Sequence, residues 1–257
     1  MSDERDDPFF IGWLPEQPEA TARRVRAGVA FAGGVALATL AVVTIAPATL
    51  PASRFDWGSA TALEGFLLER PVPALWLAGE GAAARTGGGI LPLVAPGKFG
   101  AADLVRGRDG QAVRLAGALL ERDGLRMLEV RPESIVPVPG VGVARPGSLS
   151  LGPATLVGEI VDSKCWTGAM NPGEGKVHRD CAVRCISGGM PPALVVRSPA
   201  GGAIVLLLVG ARDEAIGREL LDRVGEPVEV RGEVVRWADR LAIRAAPADV
   251  RRLPDAS

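Results

Sequence analysis

Gly110-Gln-Ala-Val-Arg-Leu-Ala-Gly117 returns later in the chain as Gly225-Glu-Pro-Val-Glu-Val-Arg-Gly232. Both segments end on glycine and carry apolar residues at alternate positions, the period of a half-buried strand. The match continues without a gap: Leu128 aligns with Ile243, Pro132 with Pro247 and Ile135 with Val250. Each segment leads through a turn into a further strand, by way of Arg122-Asp-Gly124 in one copy and Trp237-Ala-Asp239 in the other.

Upstream the copies agree again. Gly65-Phe-Leu-Leu-Glu-Arg70 and Pro73-Ala-Leu-Trp-Leu77 parallel Gly158-Glu-Ile-Val-Asp-Ser163 and Pro192-Ala-Leu-Val-Val196. Gly88-Gly-Ile-Leu-Pro-Leu-Val94 then parallels Gly202-Ala-Ile-Val-Leu-Leu-Leu-Val209. Residues 212–223 place Ala215, Ile216, Leu220 and Leu221 at helical spacing. The shorter stretch 98–105 takes that place in the first copy. Each copy reads strand, strand, strand, helix, strand, strand, an order that suits a small Greek-key barrel of the OB type.

The expected fold is therefore all-β with minor α. An N-terminal transmembrane helix precedes two tandem OB-like barrels, residues 55–140 and 150–255. The Pro- and Gly-rich stretch around residues 137–147 is the expected linker.

The copies differ at one place. The step from Gly65 to Pro73 is short, whereas the step from Gly158 to Pro192 is far longer. The added residues, 162–191, hold all three cysteines, Cys165, Cys181 and Cys185, and the only histidine, His178. The loop between the first two strands of an OB barrel is a ligand-binding position. Residues 176–186 lack Gly and Pro and read as a helix. On it His178, Cys181 and Cys185 would project from one face, and Cys165 would arrive from the preceding strand end.

Three thiols and an imidazole form a tetrahedral ligand set for zinc. Thiolate-rich sites also suit copper(I) or an iron–sulfur cluster. Exported thiols commonly pair instead, and Cys165 could join Cys181 or Cys185 in a disulfide staple. A reactive thiol is a third reading. There is no CxxCH for covalent haem and no CxxC pair. Asp162 is a candidate acceptor for His178. Lys164, Lys176, Arg179 and Arg184 read mainly as a solvated basic face, and Trp166 and Met170 as packing.

Before the repeat, Arg23, Arg24 and Arg26 precede an uncharged run over residues 27–52. The run is long enough to span a bilayer, so residues 23–52 are the expected anchor. A cleaved signal peptide competes, with Arg23-Arg24 ahead of the run and Ala46-Pro-Ala48 after it, but the run is long for one. The arginine asymmetry puts residues 1–22 in the cytoplasm and residues 54–257 in the periplasm of an inner membrane. Phe9, Phe10 and Trp13, in the island Pro8-Phe-Phe-Ile-Gly-Trp-Leu-Pro15, suit a headgroup layer or a docking segment. A formal net charge of −1 gives no basic field for nucleic acid.

The wording Gly158-Glu-Ile-Val-Asp-Ser-Lys-Cys165, His178-Arg-Asp-Cys-Ala-Val-Arg-Cys185 and Gly188-Gly-Met-Pro-Pro192 resembles a motif of uncharacterised bacterial single-pass membrane-anchored proteins. That resemblance implies a bacterial setting and no established activity. The expected function is a Cys3His metal or redox-cofactor site on an anchored periplasmic protein. It would serve as an accessory subunit or assembly factor of a membrane-linked redox system, with membrane or periplasmic protein partners. The alternative is a disulfide-stapled periplasmic scaffold without metal.

Overall fold

The computed structural model describes residues 18–46, 52–77, 89–139, 145–199 and 201–254. Two units are separate. The first is a helix, α1 (Glu19–Ile45). It has a mean hydropathy of 2.1 in its most apolar window and is long and apolar enough to cross a membrane. It starts before the expected boundary, taking Arg23, Arg24 and Arg26 into its first turns, and buries none of its residues. The island at residues 8–15 lies outside the described residues.

The second unit is mostly β. Its first sheet holds β1 (Ser53–Phe55), β2 (Thr61–Leu68), β3 (Ala74–Leu77), β4 (Gly89–Val94), β5 (Ala112–Arg122), β6 (Leu125–Val130) and β7 (Val136–Pro137). Strands β2, β3, β4, β6 and β5 pair in that order, and β5 pairs back to β2, so five strands close into a barrel. Its core is aliphatic, with Leu67, Leu75, Leu93, Val113, Leu128 and Val130 fully buried. The barrel expected over residues 55–140 is present.

The second sheet holds β8 (Ser148–Asp162), β9 (Pro192–Arg197), β10 (Ala203–Val209), β11 (Pro227–Trp237), β12 (Arg240–Arg244) and β13 (Val250–Arg252). Its strand order is β12-β10-β9-β8-β11-β13, with β11 also pairing β12. The sequence match is reproduced in register. Phe66 faces Trp76 as Glu159 faces Val195. Gly65 faces Val113 as Gly158 faces Val228. Leu93 lies beside Leu128, in parallel, as Leu208 lies beside Ile243.

The glycines of the repeat explain themselves at the same positions. A Cβ on Gly117 would lie 2.3 Å from the Glu129 carbonyl oxygen, and one on Gly232 the same distance from that of Arg244. At Gly65 and Gly158 the obstructing atoms are the carbonyl oxygens of Trp76 and Val195. Glycine is required there because two backbones touch.

The expected helix over 212–223 is reduced to a 3-10 turn, Arg218–Arg223. Before it, the Arg212 and Gly217 amides donate to the carboxylates of Glu214 and Glu219. Gly210 donates to the Glu214 carbonyl and Asp213 takes a positive φ of 60°. These local bonds compete with helix. In the first copy the helix shrinks to Ala102–Val105.

The two sheets pack on each other through Leu68, Val72, Ile90, Leu207, Val209, Val235 and Trp237. The Ile90 amide donates to Asp239 at 2.7 Å, and its carbonyl accepts from buried Arg240 at 3.0 Å.

Gly232→Ala should destabilise the folded chain by about 1–3 kcal/mol, because the Cβ forces two strands apart. Urea unfolding of the detergent-solubilised protein measures this. An unchanged midpoint would mean that the strands yield without cost.

Candidate metal centre

Strand β8 ends on Asp162, which is wholly buried. Its carboxylate does two things. Oδ1 accepts the Cys165 amide at 2.8 Å, which starts a wide helical turn, Cys165–Ala169. Oδ2 lies 3.1 Å from His178 Nε2. The turn closes through the Met170 amide and the Cys165 carbonyl at 3.2 Å.

The helix of the inserted segment runs Arg179–Ser187, three residues later than expected at its start. His178 stands just before it, in the cap position, and its carbonyl accepts the Ala182 amide at 3.0 Å. Cys181 and Cys185 lie one turn apart on the helix, facing inward.

The donors converge. Donor atoms of Cys165, His178 and Cys181 all lie within 4.8 Å of one another. A second triad, Asp162, Cys165 and Cys185, meets the same limit. Cys165 belongs to both. The four residues expected from sequence therefore gather as two overlapping groups, with Asp162 as a fifth member. All three cysteines are free thiols, and Cys165 Sγ stands 4.0 Å from Cys181 Sγ. His178, Cys165 and Cys185 are buried, and Cys181 is half-buried. A disulfide is not formed at this spacing.

The first barrel contributes a cation. Lys98 donates from Nζ to Cys181 Sγ at 2.7 Å and lies 3.9 Å from Cys185 Sγ. It is held there by close backbone contact, with the Gly100 amide donating to the Gly188 carbonyl at 3.0 Å. The contact with Cys181 raises the Lys98 pKa, opposed by burial. The hydrogen bond from Cys165 to Cys185 raises the Cys165 pKa, and burial and the Asp162 carboxylate push the same way. That bond lowers the Cys185 pKa, assisted by Lys98 and opposed by burial and Asp162.

Lys164 corrects the reading of a solvated basic face. It is buried, donating to the Ala95 and Gly97 carbonyls at 3.1 and 2.7 Å and pairing with Glu129. Lys176 and Arg184 are exposed, as expected. Trp166 is packed, under the guanidinium of buried Arg122 at 4.4 Å. Lys98 and Glu129 carried no signal in the sequence, since each lies in the copy without the insertion.

No family model, curated protein or solved structure matches this chain.

Two outcomes follow. Lys164→Met should cost about 3 kcal/mol, because Glu129, mostly buried, is left charged without its partner. Adding Glu129→Leu should restore much of the loss. A double-mutant cycle in urea reads the coupling, and additive losses would deny it.

Burial raises the Glu159 pKa, against the Gly175 amide that its carboxylate accepts at 2.6 Å. A folded pKa above the unfolded one contributes stability below the ordinary value, lost as pH rises through the folded value. Glu159→Gln keeps an acceptor and removes the ionisation. Its stability advantage over wild type should be absent below pH 4.5 and should open above it. A pH-independent difference in midpoint would contradict this.

Proposed function

We propose that this chain is a membrane-anchored metal-binding protein whose ion sits among Cys165, His178, Cys181 and Cys185. The observation that carries the proposal is the spacing of the donors. Two sulfurs each about 2.3 Å from a tetrahedral ion stand about 3.8 Å apart. The Cys165 and Cys181 sulfurs are 4.0 Å apart, near the ligand spacing and far from the bonded length of about 2.05 Å.

The environment supports the reading. A metal-bound histidine characteristically passes its other ring nitrogen to a carboxylate. Asp162 engages His178 Nε2, which leaves Nδ1 for an ion. Lys98 offsets the negative charge that several thiolates would bring to a buried place. The matching registers of the two sheets support reading the second as a copy of the first that carries the site. α1 would be the anchor, with the site in the periplasm as the arginine asymmetry implies. An anchored, buried soft-ligand site suits an accessory subunit or assembly factor of a membrane-linked redox system.

Full-length protein purified from membranes under reducing conditions should carry about one metal ion per chain, with its three thiols shielded from alkylation. Cys165→Ser, which removes the sulfur shared by both triads, should abolish loading while leaving the far-ultraviolet spectrum unchanged. Metal-free protein with one reactive thiol and two joined in a disulfide would establish the stapled scaffold instead.

A further inference from the structure

Sulfur does not stop at the three cysteines. The chain has four methionines. Met127 and Met190 are almost fully buried, and both pack in one cluster with Cys165 and Cys185, with Cys181 against its edge. They arrive from different places. Met127 stands on β6 of the first barrel, opposite Leu120. Met190 follows the Gly188-Gly189 turn of the inserted segment, and its amide donates to the Cys185 carbonyl at 3.0 Å. Met170 ends the turn that begins at Cys165. Among the described residues the other buried apolar clusters contain no methionine.

Resting on the metal-site reading above, we infer that the ion is copper(I), and that a thioether from Met190 or Met127 completes its coordination. Two observations lead there. Thioethers select soft copper(I) over zinc, and among the described residues they gather in this core and no other. Divalent zinc would satisfy its four positions with the three thiolates and the imidazole, and the two buried thioethers would then serve only as filling. Finally, an ion that accepts low coordination fits donors divided between two overlapping triads better than one needing all four at once.

The test uses the reduced, metal-free, full-length chain in detergent. Copper(I) is titrated against a chromophoric copper(I) chelator, and zinc(II) against a chromophoric zinc chelator. Wild type is compared with Met127→Leu, Met190→Leu and the double variant, which conserve volume. In parallel, selenomethionine-labelled protein loaded with copper(I) is examined at the selenium absorption edge, which needs no substitution.

The expected result is one tightly held copper(I), a selenium–copper scattering path, and copper affinity lowered about tenfold or more in the double variant with zinc affinity unchanged. Unchanged copper affinity with no selenium–copper path would overturn the thioether assignment. Zinc held firmly and copper(I) refused would overturn the choice of ion while leaving a metal site. Neither ion bound would overturn the metal reading itself.

Discussion

An ammonium group shut away from water fixes the geometry of this site. Lys164 lies directly before Cys165 and two residues after Asp162, and it is nearly inaccessible. A lone charge there would cost several kcal/mol, so its position is dictated by what can answer it. Glu129 and the carbonyls of Ala95 and Gly97 do so, and all three belong to the first barrel. A second cation grips the same segment. Arg122 leaves the first barrel, lies over the Trp166 ring, donates to the Trp166 carbonyl at 3.1 Å and reaches Glu174 at 3.4 Å. The segment that carries Cys165 is thus held to the first barrel by two buried cations.

This gives the first copy of the repeat a purpose that its own sequence hides. It has no inserted segment, no cysteine and no histidine. It is the wall against which the inserted segment of the second copy is set. The contact is so close that only glycine permits it: a Cβ on Gly100 would lie 1.9 Å from the Gly189 carbonyl oxygen, and one on Gly188 2.1 Å from that of Lys98. Gly188-Gly189 is therefore more than a helix stop. It lets the bend that bears Lys98 approach until the ammonium touches sulfur.

The frame was legible because a repeat records register. Once Gly117 is aligned with Gly232, the pairing of every equivalent strand follows, and the structure shows that pairing at each position compared. The gathering of the cysteines and histidine was legible because their helical spacing is local. What could not be read depends on contacts between distant segments. Nothing near Lys98 or Met127 marks them, since their partners are tens of residues away. Lys164 looked solvated because lysine almost always is, and only the position of Glu129 makes it otherwise. The late start of the helix was likewise hidden: His178 stands at the cap with its ring against Asp162, sixteen residues earlier.

The manner in which the donors are held bears on what an ion does here. In small zinc domains the ion supplies the folding energy, and its removal unfolds the chain. Here the donors are positioned by other means. Asp162 holds the Cys165 amide and the His178 ring together, Lys164 and Arg122 fix the turn, and two aliphatic cores support the frame. The arrangement of the donors is thus set by contacts within the chain itself. The half-buried Cys181, next to solvent-exposed Lys98, is the open side of an otherwise closed cluster.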